Sequence, residues 1–230
     1  MKRLITAFLI PLLIAVPELA FAQRGMQAIV TQQASAATAP SVAAVWAVSA
    51  YDTVVTQTLS PTAGQLLVAF TTQGTTAILA PSGCGTWTQR GATDGGFDAM
   101  WSAPITSSGS CTVTLSFTSG QSILNLWNIN TVSQTVDVAA TAVTFTGTPI
   151  TGASVTTTVA NDLVVGTCAS YANTATFTII SPFINDFNGS SGNVTVGMAH
   201  YVKASAGAVN PSWTTNESSA WFCSTLAVEP

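Results

Sequence analysis

The stretch Cys111-Thr112-Val113-Thr114-Leu115-Ser116-Phe117 alternates strictly, with Cys111, Val113, Leu115 and Phe117 on one side and the hydroxyl residues on the other. Alternation of period two marks a β-strand with one buried and one wet face. Outward from it, short runs rich in Val, Ile, Thr, Phe and Trp alternate with clusters of Gly, Pro, Ser and Asn. No segment beyond the N-terminus keeps a helical period for three turns. Strands are expected at 42–50, 54–59, 65–72, 76–80, 87–91, 99–103, 111–117, 122–129, 136–145, 154–159, 162–170, 175–180, 194–203 and 220–228. So many short strands at this spacing predict an all-β sandwich or barrel.

A weak internal repeat refines the prediction. Ala63-Gly64-Gln65-Leu66-Leu67-Val68-Ala69-Phe70 resembles Ala160-Asn161-Asp162-Leu163-Val164-Val165-Gly166-Thr167, and the same spacing carries Leu124-Asn125-Leu126-Trp127 onto Trp221-Phe222-Cys223-Ser224. Two separated strands that keep one spacing suggest two similar halves. The expected architecture is a jelly-roll-like β-sandwich of two antiparallel sheets, made of two pseudo-repeated Greek-key halves packed face to face. Four cysteines, Cys84, Cys111, Cys168 and Cys223, allow three pairings. Cys84–Cys111 and Cys168–Cys223 are favoured, each closing a loop that stabilises the fold by roughly 3–4 kcal/mol. If the first and last repeated strands of the second half are neighbours, Cys168 falls beside Cys223. No Cys-x-x-Cys or neighbouring His spacing suggests metal ligation, so no metal and no cofactor are expected.

The N-terminus reads Met1-Lys2-Arg3, an apolar run from Leu4 to Val16, then Ala20-Phe21-Ala22, the order of a secretory signal cleaved after Ala22. The apolar run is shorter than the ~20 residues that span a bilayer, and Pro11 interrupts it. Residues 1–22 are therefore expected to be a signal peptide, 23–39 a flexible N-terminal arm, and 40–230 a single β-sandwich domain. The expected product is secreted or extracellular, in the periplasm or at the cell surface of a Gram-negative cell, and not an integral membrane protein. Gln27-Ala28-Ile29-Val30-Thr31 has some strand character, so donation of the arm to another subunit is a candidate route to self-assembly.

Charge excludes several function classes. The chain holds five Lys and Arg, nine Asp and Glu, and one His, for a net charge of −4. Past the leader the strong bases are Arg24, Arg90 and Lys203, which cannot form the basic stripe that nucleic acid or an anionic membrane requires. With His200 as the single histidine and no Gly-x-Ser-x-Gly elbow, phosphate loop or dinucleotide fingerprint, little material is left for acid–base or nucleophilic catalysis.

A Gly-Gln-Leu-Leu-Val-Ala strand at Gly64 to Ala69 is followed by Gly-Thr-Trp-Thr-Gln-Arg at Gly85 to Arg90 and Met-Trp-Ser-Ala-Pro at Met100 to Pro104. With Cys-Thr-Val-Thr-Leu-Ser-Phe and Asn-Asp-Leu-Val-Val at Asn161 to Val165, this succession resembles the jelly-roll β-sandwich modules of secreted bacterial and phage-associated surface proteins. The resemblance runs from about residue 40 onward and implies a fold and a surface or adhesive setting, with no catalytic motif to transfer.

The candidate site residues follow from residue chemistry. Asp94-Gly95-Gly96-Phe97-Asp98 places two carboxylates on a Gly-rich turn, the pairing that glycoside hydrolysis needs. A solvated turn is the plainer reading, and a calcium site joined by Asn185 or Asp186 is a further one. In His200-Tyr201-Val202-Lys203 strand alternation separates His200 from Tyr201 and Lys203, against a lyase and in favour of a hydrogen-bonded structural histidine. Of the six tryptophans, Trp87 and Trp213 are expected to be the exposed ones, with Asn216 near enough to Trp213 to hydrogen-bond a sugar. The sequons at Asn188, Asn193 and Asn216 read as inert polar turns. The expected role is non-catalytic, as a surface, adhesive or structural protein whose partner is an extracellular glycan or other surface component. The alternatives are a carbohydrate-active hydrolase using Asp94 and Asp98, and a virion or filament subunit.

Overall fold

A computed structural model of the chain describes residues 38–50, 54–73, 79–92, 98–116, 122–144, 149–170, 175–191, 194–217 and 220–230. The expected signal peptide, nearly all of the arm, Asp94, Asn193 and most of the expected strand at 76–80 lie outside the described residues. Among the described residues every regular element is a strand, and no helix is long and apolar enough to cross a membrane. The first half contains β1 (Ser41–Ala50), β2 (Val54–Leu59), β3 (Gln65–Gln73), β4 (Thr88–Ala92), β5 (Asp98–Pro104), β6 (Cys111–Ser116) and β7 (Ser122–Asn130). The second contains β8 (Val136–Thr144), β9 (Ile150–Thr151), β10 (Val155–Thr157), β11 (Asp162–Ser170), β12 (Phe177–Ile179), β13 (Ile184–Ser191), β14 (Val194–Lys203), β15 (Gly207–Val209), β16 (Ser212–Thr215) and β17 (Trp221–Val228).

Two five-stranded sheets form the centre, in the orders β1-β7-β3-β5-β4 and β8-β17-β11-β14-β13, and every pairing is antiparallel. The orders are the same when β1 is matched with β8, β3 with β11, β5 with β14 and β7 with β17. Register repeats too: Leu66 stands opposite Ile129 and Leu163 opposite Val228. So do the irregularities. Ala43 in β1 and Asp137 in β8 occupy matching bulges, as do Arg90 in β4 and Asp186 in β13. Gly64 (φ 93°) and Asn161 (φ 68°) both take the left-handed turn that enters β3 and β11. The two halves inferred from sequence are therefore present, with one correction: the registers equate Leu124 with Cys223, two residues on from Trp221. A two-residue slip preserves which face each side chain takes, so the inference survived the misalignment.

Smaller sheets cover the outer faces: β2–β6 lies over the first central sheet, and β10–β15 and β12–β16–β9 over the second. Apolar side chains thus fill three layers. Leu66, Phe70 and Trp127 meet Leu163, Met198 and Leu226 between the central sheets. Val55, Val113 and Leu115 pack onto Leu67, Trp101 and Leu124. Phe177 and Trp213 pack with Val164, Trp221 and Ala227. The central strands are consequently buried on both faces, which is why β3 and β11 read as continuous apolar runs while β6, in a cover, alternates. The expectation of two sheets therefore undercounts the layers.

Both favoured disulfides are present, Cys84–Cys111 tying the segment before β4 to β6 and Cys168–Cys223 joining directly opposed residues of β11 and β17. Two glycines let the second cover approach closely. A Cβ on Gly166 would stand 2.5 Å from Pro211 Cγ, and one on Gly197 would stand 3.0 Å from Trp213 Nε1.

Candidate functional site

Among the described residues, those singled out in the sequence do not converge on one cleft. Trp213 has no exposed surface and lies beneath the second cover, pressed into the space that Gly197 leaves and packed among the apolar residues around Phe177 and Trp221. The expectation of an exposed Trp213 is therefore corrected: Asn210 and Pro211 look like a loop, yet they lead directly into cover strand β16, whose indole faces inward. Trp87 is half-buried, packs against the first cover's core, and donates its Nε1–H to Gly83 O at 2.8 Å. Asn216 is exposed, and its Oδ1 accepts the Thr176 N–H at 2.7 Å. Asn188 binds the backbone of Phe177 through its side-chain amide.

Asp98 is fully buried on β5, opposite Thr72 of β3. Burial pushes its carboxyl up to about 7, partly offset by the Thr72 hydroxyl. Asp186, the other proposed calcium ligand, is bonded instead to Trp127 and His200. Among the described residues no cluster of three His, Cys, Asp or Glu side chains suits a metal.

Two polar constellations come from residues far apart in sequence. Asp186, on the bulge of β13, accepts the Trp127 Nε1–H at 3.0 Å from the first half, and its Oδ1 lies 2.5 Å from His200 Nδ1. His200 is thus hydrogen-bonded, as read from the sequence, and its side chain is 20% exposed. The dyad orients the imidazole, while Tyr201 points to the other face of β14 against Phe183 at 5.5 Å. The second constellation is Asp137, Thr158 and Asp162. Asp137 on the β8 bulge accepts the Thr158 N–H at 2.6 Å and its hydroxyl at 2.7 Å, and Asp162 lies close enough to influence its ionisation. Asp162 is pushed up to about 7 by burial, then by the hydrogen bond and charge of Asp137 and by the charge of Glu229. Partial burial works against ionising Asp137, but the bonds from Thr158 and Asp162 outweigh it and hold the group below the usual carboxylate range. Of the two carboxyls Asp162 is the one that holds its proton more tightly. Sequence reasoning missed this grouping because the bulge that carries Asp137 beside Thr158 is invisible in residue pattern.

The described surface offers one further feature suited to recognition. Beside the Cys84–Cys111 bridge a shallow depression of about 170 Å³ is lined by Pro61, Gly85 and the loop Thr106-Ser107-Ser108-Gly109-Ser110, with no ionisable side chain. A second, of about 270 Å³, borders it through Thr62, Gly64, Gln65 and Asn130. Gln65 Nε2 donates to Asn130 Oδ1 and Asn128 Nδ2 donates to Gln65 Oε1, both at 2.8 Å, so this end of the first half presents amides and hydroxyls held in place. Such a surface can exchange hydrogen bonds with a neutral polyol, and its lining carries no cationic side chain for a phosphate. No family model, no curated protein and no solved structure matches the chain.

Proposed function

We propose that the protein is a secreted, non-catalytic β-sandwich that acts at a surface by adhesion, and that it recognises neutral carbohydrate at the hydroxyl-lined end of its first half. The observation that carries this reading is the depression beside Cys84–Cys111, walled by Thr106, Ser107, Ser108 and Ser110 without a single charge. Its volume, about 170 Å³, is below that of the clefts that enclose whole small-molecule substrates and suits the edge of one or two sugar rings. The paired bridge fixes the loop, so little ordering entropy opposes binding.

A hydrolase using Asp94 and Asp98 is the weaker reading, because Asp98 has no surface from which to meet a substrate. The virion or filament reading rests on the arm at 23–39, and removing that arm should leave the elution volume unchanged if it is wrong. The direct test is a glycan array probed with the mature protein and with a Ser107→Lys/Ser110→Lys variant. Retention of a neutral glycan by the first and its loss in the second is expected; equal retention by both removes the depression as the site.

A further inference from the structure

We propose that β2 is a docking edge for a second copy of this chain, so that two molecules join their first covers into one continuous sheet about a twofold axis. The other strand edges among the described residues are guarded. The edge strands of the central sheets, β1, β4, β8 and β13, each carry a bulge, and three of the bulges hold a charged residue, Arg90, Asp137 or Asp186. Bulges and charges keep a sheet edge from pairing with another chain. In the second half the edge strands of the covers, β9, β10, β12 and β15, run for two or three residues only. The outer side of β6 is taken by Ser82, whose N–H donates to Thr114 O at 2.8 Å and whose carbonyl accepts the Thr114 N–H at 2.9 Å.

β2 has none of these defences. Val54-Val55-Thr56-Gln57-Thr58-Leu59 pairs with β6 over its full length without a register break and holds neither Pro nor charge, and among the described strands it pairs on that side alone. It lies over β1 and β7, and Trp46 and Val48, on the outer face of β1, are half-buried against the same cover. They leave apolar surface near the open edge for an incoming strand to cover.

The partner follows from the side-chain pattern. Val55, Gln57 and Leu59 face inward, whereas Val54, Thr56 and Thr58 face solvent. An antiparallel pairing of two β2 strands centred on Gln57 sets Val55 against the partner's Leu59 and Thr56 against the partner's Thr58. Inward residues then meet inward residues and outward meet outward; a slip of one residue would set a threonine against a buried apolar side chain. The edge is thus complementary to itself, as a closed twofold pair requires. Within each copy Thr56 stands opposite Thr114 and Thr58 opposite Thr112, so the joined sheet presents two rows of four threonines.

Sedimentation equilibrium of the full mature protein, with amide exchange read along β2 over a range of concentrations, tests the proposal. A species of twice the monomer mass is expected, with protection of the β2 amides rising with concentration. In Thr56→Lys/Thr58→Lys the new side chains are exposed in a single copy but face like charges across the joint, so the monomer mass should return with the near-ultraviolet circular dichroism unchanged. A monomer at every concentration, or a dimer that survives both lysines, overturns the proposal. So does protection of β2 that is independent of concentration and vanishes on trimming residues 23–37, which would give the edge to the chain's own arm.

Discussion

Replacing Asp98 by Asn should make the protein more stable at pH 8 and leave it unchanged at pH 4. Asp98 is fully buried between β3 and β4, and its carboxyl is pushed from 3.8 up to about 7, chiefly by that burial. In the unfolded chain the same carboxyl ionises near its ordinary value. Below pH 4 both states hold the proton, so Asp98 opposes folding in neither. Between about 4 and 7 the folded state keeps a proton that the unfolded state has lost, so stability falls as pH rises, by about 1.4 kcal/mol per pH unit, and levels off above 7. Over that interval the loss is about 4 kcal/mol, a large share of the net stability of an ordinary domain. Asn keeps the shape, stays neutral and can still meet the Thr72 hydroxyl. Urea unfolding with disulfides intact, at half-unit steps from pH 4 to 8, should show a falling wild-type curve and a distinctly shallower one for the variant. Asp162 titrates in the same direction, so some slope should remain; it lies at the end of its sheet, where nearby solvent screens it and reduces its share. Identical slopes for the two proteins, or a folded-state Asp98 midpoint near 4 by carboxyl NMR, would refute the reasoning.

Other perturbations separate buried structure from surface. Trp213→Ala should cost about 3–5 kcal/mol, since it empties the space over Gly197, while Trp87→Ala, at a half-buried site, should cost distinctly less; thermal unfolding compares them. Asp186→Ala leaves the Trp127 and His200 donors without their acceptor, and denaturant unfolding should register about 2–3 kcal/mol with a shift in indole fluorescence. Replacing Cys168 and Cys223 together by Ala should remove about 4 kcal/mol, the chain-entropy value for a loop of 55 residues, against slightly less for the 27-residue Cys84–Cys111 loop.

The sequence exposed what depends on local pattern. Strands β2, β11 and β14 begin and end where apolar periodicity begins and ends, and the Cys168–Cys223 pairing follows from the repeat. What it concealed depends on neighbours. β13, Ile184-Asn185-Asp186-Phe187-Asn188-Gly189-Ser190-Ser191, looks like a polar turn because Asn, Asp and Gly are poor strand formers. It is a strand only as the edge beside β14, where a bulge and a polar outer side are tolerated. Trp213 misled in the opposite direction, since a Pro and two Asn around it signal a loop while the missing side chain of Gly197, sixteen residues earlier, makes its burial possible.

The two halves also differ in a way that bears on how such a fold stays specific. Matching bulges place Arg90 in one half and Asp186 in the other, and their partners across the pair are Ser102 at 2.8 Å and His200 at 2.5 Å. Identical topology with interchangeable polar groups would let the central sheets face each other in more than one way, because apolar packing alone discriminates weakly among registers. Asp186 removes that freedom. It accepts a bond from Trp127 across the layer, whereas the matching Arg90, a donor, could not accept one from any residue in that place. A swap that puts Asp at 90 and Arg at 186 should therefore fail to restore wild-type stability even though the composition is unchanged, because the indole would then face a second donor. Recovery of full stability in that swap would mean that the polar groups follow the fold without helping to choose it.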